Sequence, residues 1–287
     1  PRSTLDRSSA ASDVYKRQYM QCGHYYDALE VSYNATAADG KYISYANLGR
    51  GDRYLSSCCH NFHQLMTAAT YLGQYGAALY AANSVQGLLT EDILRTEIPQ
   101  LARTLESHYS MKSHVLVRFG KWEDIIREPL PEDEKLYCVT TAMMRYARGI
   151  AYAALGKHDL ADIERTKFDE ALVNIPTDRL IMNNQARAIL GVATEMLYGE
   201  VEYHRGNYDV AFKHLRQAVV NDDELNYSEP WSWMHPPRHA LGALLLEQGH
   251  VDEAEQVYRA DLGLDGVLIA AKRHLNNVWS LHGLAEC

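Results

Sequence analysis

The chain has 287 residues, a formal net charge of −9, 47% hydrophobic and 23% charged residues. That balance supports a sizeable core, while an acidic chain with no Lys/Arg run longer than two residues lacks the basic face that nucleic acid or an anionic membrane surface requires. The longest apolar run, Ala240–Leu246, falls far short of the roughly 20 residues of a membrane span.

Residues 1–18 (PRSTLDRSSAASDVYKRQ) carry no helical apolar periodicity and read as a leader of adaptor or vector type outside the fold. From residue 19 onward the pattern predicts helices over 19–22, 25–38, 53–72, 75–88, 91–106, 109–119 and 121–127. It continues with 134–155, 158–173, 182–205, 207–221, 236–248, 251–262 and 273–286. Within 134–155, Leu136, Val139, Met143, Tyr146, Ile150 and Ala154 form a stripe at spacings of three and four. No alternating run is long enough for a sheet. The acidic stretch PEDEK, Pro131–Lys135, reads as a solvated cap opening the next helix. The last segment, NNVWSLHGLAEC, reads as the start of a further hairpin, so the chain is expected to be a piece of a longer array, truncated at both ends.

One motif recurs six times: a Gly followed five residues later by a small or apolar residue. The pairs are Gly23/Ala28, Gly73/Ala78, Gly120/Ile125, Gly156/Ala161, Gly206/Ala211 and Gly249/Ala254. Gly ends a helix in the left-handed conformation, and the small residue lets the next helix approach closely. A second Gly lies seven residues upstream in three units, Gly149, Gly199 and Gly242, where the paired helices should cross. The expected fold is all-α, an α-solenoid of antiparallel helix pairs over residues 19–287.

YARGIAYAALGKHDLA, with Gly149, Tyr152, Gly156 and Ala161, resembles the small–aromatic–Gly–Ala spine of the tetratricopeptide (TPR) family. LLLEQGHVDEAEQVYRADL adds Ala254 and Tyr258, and Trp279 and Gly283 match the start of a further first helix. The segments CHNFHQLMTAATYLGQYGAAL, HVLVRFGKWEDIIREP and WSWMHPPRHALGALLLEQG are similar to large bacterial and algal TPR proteins. The resemblance implies a superhelix that binds a protein or peptide. The chain departs from it in period: the six glycines are 50, 47, 36, 50 and 43 residues apart, against about 34 in a regular TPR.

Three patches are candidate sites. His60 and His63 are close on one helix face and could share a metal with a carboxylate from elsewhere, or simply line a groove, and Asn61 and Gln64 on the same first helix are candidate partner contacts. His108 and His114 lie one unit downstream, where equivalent first helices share a surface. Glu229, Trp231, Trp233, His235, Arg238 and His239 surround a proline-fixed loop that could clamp a ligand; alternatively the Trp pair plugs a seam and Arg238 pairs with Glu229. Arg145, Arg148, Asn184 and Glu195 are further positions on first helices. No phosphate-binding, dinucleotide, zinc-protease or serine-hydrolase motif occurs, and Cys58 or Cys59 beside His60 on a helix would point away from it. Cys22, Cys58, Cys59, Cys138 and Cys287 are an odd set without C-x-x-C, which favours free thiols in a reducing, cytoplasmic setting. The leading expectation is a non-enzymatic scaffold for a protein or peptide, with no nucleic acid, membrane or cofactor. The rival is a His-lined metal or small-molecule site, catalytic or not, inside the superhelix.

Overall fold

The computed structural model describes residues 14–46, 54–97 and 101–287. The six repeated glycines all adopt positive φ: +72° at Gly23, +71° at Gly73, +61° at Gly120, +69° at Gly156, +83° at Gly206 and +79° at Gly249. Each turn closes with the same pair of hydrogen bonds. At Gly73, its N–H donates to Thr70 O at 3.1 Å and Gln74 N–H to Ala69 O at 2.8 Å; Lys157 and His250 make the corresponding long bonds at 2.8 and 2.9 Å. This double bond satisfies carbonyls that a helix end would otherwise leave orphaned. The residues five positions on, Ala28, Ala78, Ile125, Ala161, Ala211 and Ala254, are all buried.

The turns join six hairpins. They are α1 (14–21) with α2 (Tyr25–Ala46), α3 (Tyr54–Tyr71) with α4 (Tyr75–Leu88), and α7 (Met111–Arg118) with α8 (Trp122–Arg127). Then come α9 (Cys138–Ala154) with α10 (His158–Val173), α11 (Ala186–His204) with α12 (Tyr208–Asp223), and α13 (Pro237–Glu247) with α14 (Val251–Asp261). Short α5 (Glu91–Leu94) and α6 (Leu101–Tyr109) follow the second hairpin, and α15 (Val278–Glu286) follows the sixth. The fold is an all-α helical repeat. One buried apolar cluster runs through α7–α14 and includes Phe168, Leu190, Leu197 and Leu215. A second lies among α1–α4, α6 and α7, around Leu65, Met66 and Leu105.

The upstream glycines mark close approaches. A Cβ on Gly199 would sit 2.7 Å from Leu215 of the paired helix, and one on Gly242 2.7 Å from the Tyr258 ring. Gly149 differs from the expectation, because its obstacle is Leu197 of the next unit, at 2.6 Å. The first and last helices also bond distant parts of the array. Trp279 Nε1 donates to Thr70 O at 2.8 Å, and Gln21 Nε2 donates to the Tyr227 hydroxyl at 3.0 Å.

Several boundaries differ from the sequence expectation. Of the supposed leader, residues 1–13 lie outside the described residues, but 14–18 are helical and Lys16 is buried, donating to Asn61 Oδ1. The helix expected over 182–205 begins at Ala186, because 180–185 form a small antiparallel hairpin, β1 (Leu180–Ile181) and β2 (Asn184–Gln185). Its tip carries Met182 at φ +56°. The helix expected from 134 begins at Cys138: PEDEK stays a loop, held by Asp133 Oδ1 accepting from Lys135 N and Leu136 N. The cap of α9 comes from 34 residues upstream, where buried Glu106 accepts from Thr140 N at 2.8 Å and Val139 N at 3.3 Å. The helices expected at 91–106 and 109–119 are redistributed into α5, α6 and α7, and 273–286 shortens to α15, capped by Asn277 Oδ1 accepting from Ser280 N.

Candidate functional site

A cleft of about 860 Å³ opens where α1, α3, α6, the β1–β2 tip and the loop at 227–229 meet. Residues from all five segments line it, among them Arg17, His60, Asn61, His108, Met182 and Glu229. Four sequence candidates from three separate patches, His60, Asn61, His108 and Glu229, thus share one cavity wall. Charge within it is balanced, since Arg17 faces Glu229 at 3.5 Å. Asn61 is fixed by donating from Nδ2 to Asp39 Oδ2 at 2.7 Å while Oδ1 accepts from Lys16. The hairpin tip is fixed too: Asn183 Nδ2 donates to Tyr227 O at 2.6 Å, and Asn184 Nδ2 to Asn226 O at 2.9 Å and Ser232 Oγ at 3.0 Å. Met182 pays a local conformational penalty at this rim, as bulky side chains rarely adopt positive φ.

His108 forms the floor. It is 5% exposed, and its Nδ1 makes no well-formed hydrogen bond, the Leu105 carbonyl of its own helix being its only backbone neighbour. Behind it His63 is fully buried with both ring nitrogens unpartnered, set edge-on to His108 at 5.9 Å between ring centres. His60 and His63 therefore separate, one facing the cleft and the other the interior. His114 lies edge-on to Trp233 at 4.7 Å and to His235 at 5.3 Å. Burial pushes the His108 imidazole down to about 4, helped by His60, and burial takes His114 to about 3. Burial likewise holds His63 and His235 well below the usual histidine range, with His108 and Arg118 respectively adding to it. No carboxylate offsets the burial of these four rings, so at neutral pH all are uncharged.

The remaining candidates point elsewhere. Gln64 is buried, and neither end of its amide is hydrogen-bonded. Trp233 is in the core against Tyr146, while Trp231 packs on His274 at 4.4 Å and donates to Ala271 O. Arg238 makes a two-pronged bond to Asp223 at 2.7 and 2.6 Å, so the pairing with Glu229 does not form. Arg145 and Arg148 flank Glu164, and Glu195 bonds His214 at 2.7 Å. Among the described residues, no group of three or more His, Cys, Asp or Glu side chains is placed to hold a metal ion. The His60/His63 pair thus gains no third ligand.

A second histidine cluster takes His239 from the 229–239 patch and gathers it around Asp261, a residue the sequence does not single out. Asp261, fully buried, accepts from His239 Nε2 at 2.9 Å, His274 Nδ1 at 2.8 Å, Asn277 Nδ2 at 2.9 Å and Ser280 Oγ at 2.7 Å. Arg118 bonds the other nitrogen of His239 and lies over the Trp279 ring at 4.5 Å. That bond places the proton of His239 on Nε2, and burial keeps the ring neutral, down to about 4 against the pull of Asp261. Burial would raise the Asp261 carboxyl, but His239 and His274 hold it well below its usual range. Of its members, His239 is the one the sequence singles out.

No protein-family model matches the sequence, and no curated protein is similar to it. No helix among the described residues is long and apolar enough to cross a membrane.

Proposed function

We propose that this chain is a TPR-like interaction module, non-enzymatic, that holds an extended, uncharged polypeptide segment of a partner in the His60/His108 cleft. The observation that carries the reading is His108: a neutral imidazole on the floor of an open cleft, whose buried ring nitrogen has only the Leu105 carbonyl one turn back beside it, out of good hydrogen-bond geometry. An unmade buried hydrogen bond costs about 1–3 kcal/mol, so a poorly satisfied imidazole gains by bonding a peptide group that enters the cleft. The charge-balanced walls favour a segment without strong net charge. The five fixed segments around the cleft pre-organise it, which lowers the entropic cost of binding.

Selection from a displayed library of random peptides tests this. The wild-type protein should enrich a sequence class that is lost in Ser57→Trp and Thr104→Trp, which fill the cleft from exposed positions. Lys213→Trp, exposed on α12, should leave it unchanged. Enrichment that survives both cleft substitutions would overturn the reading.

A further inference from the structure

A second cleft, of about 960 Å³, lies between α5, the 132–135 loop, the start of α9 and the end of α10. It stands apart from the His60/His108 cleft and shares no lining residue with it. Four carboxylates line it, Glu91, Glu132, Asp133 and Glu134, against two cations, Arg95 and Lys135. Arg95 is already committed: its guanidinium bonds Glu91 at 2.7 Å and Asp133 at 2.6 Å. Asp133 also accepts from two backbone N–H groups, so its charge is spent on holding the loop. Glu132 and Glu134 are exposed; Glu132 makes no hydrogen bond or ion pair, and Glu134 only a long one to Arg145 at 3.9 Å. The cleft therefore presents two carboxylates that its own residues barely neutralise.

An acidic rim alone would be an ordinary solvated surface. The second observation is Thr141, which lines the same cleft from the first turn of α9. It is 3% exposed, and its hydroxyl has no hydrogen-bond partner. A buried threonine on a helix ordinarily returns its hydroxyl to the carbonyl four residues back. Thr67 and Thr70 do so in this protein, at 2.9 and 2.8 Å, and Thr141 does not. Cys138 beside it is a free thiol that burial pushes up to about 11, so it adds no charge to the cleft at neutral pH. The α9 N-terminus cannot draw an anion here, because Glu106 already occupies its free N–H groups.

From this placement we propose that the cleft is a docking site for a basic segment of a partner polypeptide, a Lys or Arg side chain lying between Glu132 and Glu134 with its N–H donating to Thr141 Oγ1. Charge complementarity selects the partner, and the buried hydroxyl selects a side chain that reaches inward. Long side chains with an apolar stem and a cationic tip suit such a slot.

Fluorescence anisotropy with a labelled nona-arginine peptide and a nona-glutamate peptide, at moderate salt, tests the proposal on the intact chain. Nona-arginine should bind and nona-glutamate should not. Glu132→Gln with Glu134→Gln should weaken nona-arginine at least tenfold. Glu123→Gln with Asp252→Asn removes the same charge from exposed positions elsewhere and should change it less than twofold. Thr141→Val should lower affinity several-fold without lowering Tm, since it removes a hydroxyl that is unsatisfied in the free protein. Equal weakening by the control pair would reduce the effect to net charge and overturn the site. So would a Thr141→Val variant that binds as wild type, or spermine binding as tightly as the peptide.

Discussion

The two histidine clusters of this protein use one residue type in opposite ways. Around Asp261, two imidazoles, an amide and a hydroxyl all donate to one carboxylate, and Arg118 closes the network from the far side. Around His63 there is no carboxylate: His63, His108, His114 and His235 are buried as neutral rings, and three of them leave ring nitrogens unpaired. The first arrangement is saturated and has nothing left to offer a ligand; it staples α13, α14 and α15 together. The second is under-satisfied and abuts an open cleft. A buried polar cluster is thus read by counting its unmade bonds rather than its members.

The largest expected effect is at Asp261. Asp261→Ala leaves four donors without their acceptor and the buried Arg118 charge without its nearby carboxylate, and should cost about 3–5 kcal/mol in chemical denaturation. An equally large loss on His63→Leu would erase the distinction, since that ring makes no bond to lose. Next comes pH. A ring whose folded pKa is below its unfolded value binds fewer protons when folded, so stability is fully present above about pH 6.5 and falls as pH drops below it. His108, down to about 4, should alone contribute roughly 3 kcal/mol of that fall, with His63, His114 and His235 adding to it. Urea melts at pH 7 and 5 should show the loss, about 2 kcal/mol of it from His108 by pH 5, and His108→Gln should remove that share and leave the rest of the slope.

Geometry supplies a smaller effect. A Cβ on Gly283 would lie 2.1 Å from the Tyr258 ring, so Gly283→Ala should cost about 1–3 kcal/mol. Because α15 carries Ser280, imidazole NMR signals of His274 and His239 should shift in this variant while those of His63 stay in place. The smallest change is Glu229→Gln, which breaks a partly exposed ion pair with Arg17. It should alter stability by less than about 1 kcal/mol and change peptide capture in the cleft without touching the Asp261 network.

How much was legible follows from sequence distance. Each helical hairpin turn is specified within six residues by a Gly and a small residue, so all six could be read directly. Gly149 was read correctly as a close-approach position, but the element it admits, Leu197 of the next unit, is 48 residues away. Glu106 capping α9 is equally invisible, because the local PEDEK stretch offers nearer and wrong candidates. The β1–β2 hairpin was absorbed into a helix, since LIMNNQ has no alternation and its turn depends on Met182 tolerating positive φ. His60, Asn61, His108 and Glu229 are each singled out by the sequence, but their meeting in one cleft depends on α1 reaching the 227–229 loop across 206 residues of chain. Asp261 was missed because its four donors are spread over 41 residues and three helices or loops.

The most direct measurement is an imidazole-detected NMR titration of the protein with a library-selected peptide at neutral pH. The His60 and His108 ring signals should move on binding, with those of His239 and His274 unchanged. Movement at His239 and His274 with a silent His108, or the failure of the library to yield any cleft-dependent peptide, would contradict the assignment of the binding cleft.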